Sequence, residues 1–151
     1  MSESSIDKTK RKFCAAFNSY NIRYQYSFFF TEGISPDDFL VQLKKFKITI
    51  RRKYNTPILV KLNLSFKREL HAYITLYTEI ELDDFKEYIE SRFTGKSKSR
   101  KLTEEKKTTT LASIKKQKPH NLNKYFGKNK INRYAVLGRS RETPKTTINQ
   151  N

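Results

Sequence analysis

The chain has 151 residues, of which 32 are Lys or Arg and 15 are Asp or Glu, so its formal net charge is +17. This length indicates one domain, and this charge favours a polyanionic partner, with nucleic acid ahead of a membrane surface. A single cysteine, Cys14, excludes an internal disulfide framework and a multi-cysteine zinc site, and no apolar run approaches the roughly 18 residues that cross a bilayer.

The positive charge is concentrated towards the C-terminus. Residues 1–95 contain 16 cationic and 12 anionic side chains, whereas residues 96–151 contain 16 and 3. We expect a folded domain over 21–141, preceded by a polar, partly mobile N-terminal segment (1–20) and followed by a disordered tail (142–151). The N-terminal residues lead into no apolar stretch of the kind that forms a signal peptide, so we do not expect secretion.

The first half of this domain alternates strand and helix patterns. The aromatic run at 24–30, YQYSFFF, predicts a buried strand. The sequence SPDD at 35–38 predicts a helix start, because serine caps helices and proline suits their first turn. The runs at 58–66 and 69–76 alternate apolar and polar residues and are separated by two residues, which predicts antiparallel strands joined by a tight turn.

The second half adds a helix, a basic run and further short elements. Residues 82–93 have the apolar spacing of a helix. The run KSKSRK at 96–101 is interpreted as a charged loop, which is either simply solvated, a grip on duplex phosphates or a nuclear import signal. The sequence TTTLASI at 108–114 predicts the fourth strand. A short helix capped by Asn121 and a last strand at 134–141 follow.

The predicted order is β-α-β-β-α-β followed by a short helix. This is the order of α+β proteins with the ferredoxin-like or RRM-like split βαβ arrangement, in which a central antiparallel sheet carries its helices on one face. The short C-terminal helix would carry the YxxK sequence at 125–128. The opposite face of the sheet would present side chains that are available to a ligand: Lys61, Asn63, Glu69, His71, Tyr73 and Thr75.

Three short motifs follow one another on these elements, and a fourth segment comes after them. They are FFFTEG at 28–33, ELHAYITL at 69–76 and YFGK at 125–128, and the later segment is GRS at 138–140. In this order they resemble the HUH endonuclease domain of rolling-circle replication initiators (Rep proteins) of the geminivirus/circovirus-like circular ssDNA virus and plasmid group. The second motif departs from the family pattern, because Glu69 stands where the family has the first of two histidines.

The resemblance implies an enzyme that nicks and rejoins single-stranded DNA at an origin hairpin. The nucleophile would be the hydroxyl of Tyr125, with Lys128 as its charge partner, and the cut would leave a 5′-phosphotyrosyl link and a 3′-hydroxyl. A Mg²⁺ or Mn²⁺ ion would be held by His71 and Glu69, with Asn63 as the nearest further oxygen donor. The ion would polarise the scissile phosphate.

The same resemblance implies how DNA is held and which partners act with the chain. DNA contacts are expected from Tyr73, Lys61, Lys124 and Arg139. A helicase activity would come from a partner or from another part of the protein, because the sequence has no GxxxxGK[ST] motif. Binding of duplex DNA and self-association are further possibilities that the sequence does not decide. The expected location is the host nucleus for a virus that infects eukaryotes and the cytoplasm otherwise.

Two other classes of protein fit parts of the pattern. A catalytically inactive RRM-like module has the same element order and would bind single-stranded DNA or RNA on its sheet by base stacking. Glu69 in place of a histidine favours that module, whereas Tyr125 and Lys128 in register favour the enzyme. A basic architectural protein would explain the charge but not the ordered motifs.

Overall fold

The computed structural model of the chain describes residues 3–30, 36–66, 70–92, 96–119 and 130–137. Within these ranges the chain forms four helices and five strands. In chain order the elements are α1 (Ser5–Ser19), β1 (Tyr24–Phe30), α2 (Pro36–Lys53), β2 (Ile58–Phe66), β3 (Leu70–Thr78), α3 (Phe85–Arg92), β4 (Lys96–Lys101), α4 (Glu104–Lys116) and β5 (Lys130–Leu137). None of the helices in these ranges has both the length and the apolar character needed to cross a bilayer.

The strands form one sheet in the order β4-β1-β3-β2-β5, and every neighbouring pair is antiparallel. Alternate residues of each strand therefore face opposite sides of the sheet. One side packs against α2 and α3: the rings of Phe28 and Phe46 lie 5.2 Å apart, and those of Tyr26 and Phe85 lie 4.8 Å apart. The predicted α+β class with a central antiparallel sheet is confirmed.

The other side of the sheet is partly covered, although the sequence predicts helices on one face only. Phe13 and Phe17 of α1 are fully buried there. The ring of Phe17 lies 5.0 Å from that of Tyr77, and the ring of Phe13 lies 5.1 Å from that of Tyr134. Helices α1 and α4 thus enclose a second core, which includes Leu59, at one end of this face.

Two lysines join α1 to α4. The Nζ atom of Lys10 donates to the carbonyl oxygen of Lys115 at 3.0 Å and also to that of Gln117, at the C-terminal end of α4. The Nζ atom of Lys107 donates to the carbonyl oxygen of Tyr20, just after α1, at 2.8 Å. The last carbonyls of a helix lack partners within the helix, so each lysine satisfies acceptors at the end of the other helix.

The N-terminal segment, for which the sequence predicts a polar and partly mobile chain, forms α1. Ser4 begins the helix, because its Oγ accepts a hydrogen bond from the backbone N–H of Asp7 at 3.2 Å. Phe13 and Phe17, four residues apart, give the helix an apolar face that the sheet covers. The polar side chains between Ser5 and Lys12 are exposed or half-buried, so they lie outside the core that the apolar face forms.

The fourth strand lies earlier in the chain than predicted. The run at 96–101 pairs with β1 as the edge strand β4, and TTTLASI at 108–114 lies within α4. The hydroxyl groups of Thr108 and Thr109 donate to the carbonyl oxygens of Glu104 and Glu105 in the preceding turn, both at 3.0 Å. These bonds accommodate β-branched residues in a helix and explain why their strand propensity misleads.

Some sequence predictions fall on residues that the structure does not describe. They are the tight turn at 67–68, the short helix with the YxxK motif at 125–128, the GRS segment at 138–140 and the tail at 142–151. These predictions stay predictions. The last strand is described, but it begins at Lys130, four residues before the predicted start.

Candidate nucleic-acid interface

The second face of the sheet is exposed along β4 and at Phe29 and Tyr73, whereas Ser27, Thr75 and Tyr77 on the same face are buried. Strand alternation brings to this face Phe29 on β1, Tyr73 on β3 and Lys61 on β2, together with cationic residues of β4 that include Lys98 and Arg100. We call this surface the open strip, and its residues are Phe29, Lys61, Tyr73, Lys98 and Arg100. It joins side chains from four neighbouring strands on one surface.

Two aromatic rings lie at the centre of the open strip. Phe29 and Tyr73 are direct partners across β1 and β3, with ring centroids 6.0 Å apart and planes at 75°. Their residues are 42% and 39% exposed. The strands hold this edge-to-face pair in place, and about two fifths of each of the two residues stays exposed to solvent.

The cations of β4 result from the alternation in KSKSRK. Lys98 lies opposite Ser27 and Arg100 lies opposite Gln25, so both belong to the face of Phe29. The Arg100 Nη2 and Nε atoms donate to Gln25 Oε1 at 3.1 and 3.3 Å, which orients the guanidinium along the strip. Lys98 is exposed. A charged edge strand of this type also resists pairing with another sheet.

Lys61 provides positive charge on the far side of the two rings. It lies in β2 between Thr75 of β3 and Tyr134 of β5, and it is half-buried. Burial, followed by the positive charge of Arg100, lowers the pKa of Lys61 below its ordinary value. None of the three cations of the open strip has a carboxylate partner among the described residues, so their charge is available to an anion.

Asn63 is the one predicted metal ligand whose side chain the structure describes. It lies opposite Tyr73, and its Nδ2 donates to Asn132 Oδ1 at 2.6 Å. The Asn132 amide nitrogen donates in turn to the carbonyl oxygen of Lys118 at 3.3 Å. The amide nitrogen of Asn63 is thus used in the hydrogen bond to Asn132. Its amide oxygen is of the ligand type that Mg²⁺ prefers, so Asn63 fits the predicted ion as one ligand.

The other predicted ligands are not described in full. Glu69 lies outside the described residues, and of His71 the structure describes the backbone pairing with Ser65 but not the side chain. The described residues contain no cluster of three or more His, Cys, Asp or Glu. The divalent metal ion therefore stays a prediction.

The structure brings three predicted residues together. Tyr73, Lys61 and Asn63 lie on the adjacent strands β3 and β2 and share one face, as their alternation predicts. Thr75 belongs to the same face but is buried. The other predicted site residues lie outside the described part of the chain: Glu69, Lys124, Tyr125, Lys128 and Arg139.

Three residues of the open strip are not among those predicted from the sequence. Phe29 is missed because YQYSFFF is interpreted as wholly buried, although alternation with Gln25 and Ser27 places it on the polar side. Lys98 and Arg100 are missed because a loop is expected there. The signal was the alternation in KSKSRK, where cations occupy every second position.

No protein-family model, curated protein or solved structure matches the chain. The class of protein is therefore defined by its own fold and surface. It is an α+β protein whose antiparallel sheet carries helices on both faces and exposes an aromatic pair between cations.

Proposed function

We propose that the protein binds single-stranded nucleic acid on the open strip. Unpaired bases would stack on Phe29 and Tyr73, and the phosphates would lie beside Lys61, Lys98 and Arg100. The observation that carries the proposal is the pair of exposed rings 6.0 Å apart among cations that have no described carboxylate partner. Every base has a π face, so stacking is tolerant of sequence, and the cations add an affinity that falls with salt.

Replacement of the two rings by leucine tests this proposal. Phe29→Leu and Tyr73→Leu keep apolar volume but remove the π face, so we expect each to weaken binding of an unstructured oligonucleotide by roughly 5- to 150-fold. Fluorescence anisotropy with a labelled oligothymidylate measures the loss. Tyr73→Phe, which keeps the ring, is the matched control and should bind like the wild type. Leucine variants that bind as tightly as the wild type would remove the rings from the site.

We further propose that the bound strand is DNA and that the protein cuts and rejoins it as a replication initiator. Support comes from the register of the sheet. Lys130 pairs with Ser65, which pairs with His71, so two strand spacings, or about 10 Å, separate the backbones of Lys130 and His71. The five residues from Tyr125 to Lys130 span at most about 17 Å. The chain is therefore long enough for Tyr125 to reach the neighbourhood of His71.

In this proposal the hydroxyl oxygen of Tyr125 forms a bond to the scissile phosphorus and loses its proton. The bond from phosphorus to the 3′ oxygen breaks, and that oxygen takes up a proton to become a 3′-hydroxyl. The cation of Lys128 would stabilise the negative charge that develops on the phosphate. Attack by a 3′-hydroxyl on the phosphotyrosyl link reverses the step and reseals the strand.

The ligands of a Mg²⁺ or Mn²⁺ ion would be His71, Glu69 and Asn63. Alternation along β3 would put His71 on the same face as Tyr73, and Asn63 lies on that face. When bound, the ion would draw electron density from the phosphate and make the phosphorus more open to attack.

Tyr125→Phe tests the cleavage proposal, because it removes only the attacking hydroxyl. With an ssDNA hairpin library and Mn²⁺, we expect the wild type to form a covalent protein–DNA product that resists denaturing electrophoresis and that the variant does not form. Oligothymidylate binding should be the same for both proteins. Tyr20→Phe, a change outside the open strip, is the control and should retain the product.

The outcomes of this experiment separate the two proposals. A covalent product that Tyr125→Phe makes equally well would show that another group is the nucleophile. A wild type that binds oligothymidylate through its rings but never forms the product would be the catalytically inactive RRM-like module. A product that forms in the presence of excess chelator would exclude a role for the divalent ion.

A further inference from the structure

Helix α2 exposes a second cationic surface. Its buried side, with Leu43, Phe46 and Ile50, packs on the face of the sheet opposite the open strip. The opposite side of the helix therefore faces solvent. Six of its exposed residues follow at spacings of three, one, three, three and one, which keeps them in one row along the helix. We call this row the α2 stripe: Val41, Lys44, Lys45, Ile48, Arg51 and Arg52.

The charge of the α2 stripe is not compensated. Helix α2 has six Lys or Arg, all between Lys44 and Lys53, whereas its two acids, Asp37 and Asp38, lie in its first turn, more than one turn before Lys44. The four cations of the stripe form no ion pair within the described ranges. Cations stabilise the last turn of a helix through its dipole, which explains Arg51 and Arg52. Lys44 and Lys45 lie more than two turns before the end of α2 and gain nothing from this effect.

The spacing of these cations matches the backbone of a nucleic-acid duplex. The pair Lys44 and Lys45 and the pair Arg51 and Arg52 are seven residues apart, which is about 10.5 Å along the helix axis. The major groove of B-form DNA is about 12 Å wide. The long side chains of the two pairs therefore reach phosphates on both sides of a groove, with Ile48 between them.

The composition of the α2 stripe argues against other polyanionic partners. It contains no aromatic ring on which an unpaired base would stack. Its aliphatic members, Val41 at 54% exposure and Ile48 at 37%, are separated by the lysine pair, so they do not form the continuous apolar centre of a protein interface. We propose that the α2 stripe binds the phosphate backbone of double-stranded nucleic acid. This surface is separate from the open strip and goes beyond the function proposed for it.

The test compares two variants that each lose four positive charges. One replaces Lys44, Lys45, Arg51 and Arg52 by glutamine, which keeps helix propensity. The matched control replaces four exposed lysines of α1 and α4 by glutamine: Lys8, Lys12, Lys115 and Lys116. Binding of a 20-base-pair duplex is measured at several salt concentrations. Four lost phosphate contacts should reduce the slope of log affinity against log salt by about 3.6 in the first variant, and the control should keep the wild-type slope.

Further measurements distinguish binding by the α2 stripe from the effects of misfolding, of overall charge and of an acidic protein partner. If the fourfold variant does not fold, Lys44→Gln with Lys45→Gln replaces it, and the slope should then fall by about 1.8. Oligothymidylate binding should be unchanged in either variant, which keeps this test separate from that of the open strip. An equal loss of slope in the control would mean that overall charge, not the α2 stripe, binds the duplex. Loss of polyglutamate binding with unchanged duplex binding would assign the stripe to an acidic protein and overturn the proposal.

Discussion

At the scale of single residues, the charge of Lys61 should favour binding of an anion but lower the stability of the fold. Its amine is half-buried in the sheet and has no described carboxylate partner, and its pKa is lowered mainly by that burial. A cation whose pKa is lower in the folded than in the unfolded state makes folding less favourable wherever it is protonated. The charge is therefore costly to the fold, whereas a phosphate on the open strip would benefit from it.

Lys61→Met should separate these two effects. Methionine keeps an unbranched chain of similar length, so at pH 7 we expect a free energy of unfolding equal to or above that of the wild type and a weaker affinity for oligothymidylate. The stability gain should be full below the folded-state pKa of Lys61. It should shrink as the pH rises through that pKa and disappear above the ordinary value of 10.5, where the lysine becomes neutral in both states.

Urea unfolding at pH 7 and at pH 10.5 measures this gain, and anisotropy measures the binding. Lys98→Met is the control, because Lys98 is exposed and its replacement should change stability by no more than about 0.5 kcal/mol. A Lys61→Met protein that is clearly less stable at pH 7 would show that the amine makes a stabilising contact.

The candidate site could be predicted from the sequence only in part. Tyr73, Lys61 and Asn63 are found because strand alternation alone assigns them to one face. Phe29 could be predicted only if one side of β1 were known to be exposed near its end. The three adjacent phenylalanines at 28–30 hide the alternation of buried and exposed residues. Lys98 and Arg100 could be assigned to the open strip only if the strand that pairs with β4 were known, and this pairing is a long-range property of the sheet.

At the scale of elements, α1 is a structural part of the domain. It buries Phe13 and Phe17 on the sheet beside Tyr77 and Tyr134 and exchanges lysine contacts with α4. Helices α1 and α4 thereby cover one end of the face that carries the open strip. Their position limits the surface on which a nucleic acid strand can lie to the part near β4, β1 and β3.

Phe17→Ala should test how firmly α1 is docked. The ring is fully buried and lies 5.0 Å from that of Tyr77, so its removal should lower the free energy of unfolding by about 3–5 kcal/mol. Urea unfolding followed by circular dichroism measures the change. Lys12→Ala, on the exposed side of the same helix, should change stability by no more than about 0.5 kcal/mol. A loss below about 1 kcal/mol for Phe17→Ala would contradict a tightly packed second core.

The elements that the sequence predicts well are those with strong periodicity. The bounds predicted for β1 and β2 agree with the structure, and the alternating pattern behind β3 and the helical spacing behind α2 are confirmed. Errors occur where local propensity and tertiary pairing disagree. KSKSRK has little strand propensity but gains hydrogen bonds and contacts along β1. The three successive threonines 108–110 are helical because they lie within α4, which Thr103 caps.

At the scale of the whole molecule, composition predicts that the partner is a polyanion but not where it binds. The net charge of +17 is spread over the chain, and the two surfaces proposed here use different parts of it. The open strip depends on the strand order that puts β4 beside β1, and the α2 stripe depends on which side of α2 is buried. Both are properties of the packed sheet, so a pattern read along the chain reveals them only in part.

The second core also fixes an order of events during protein synthesis. Helix α1 leaves the ribosome before the other described elements, and Tyr134, which closes over Phe13, is made more than 110 residues after the end of α1. At typical translation rates of about 5–20 residues per second, this interval is roughly 6–22 seconds. Throughout that time the two phenylalanines of the nascent helix lack part of their final packing surface, so the first of the described elements to be made is among the last to be enclosed.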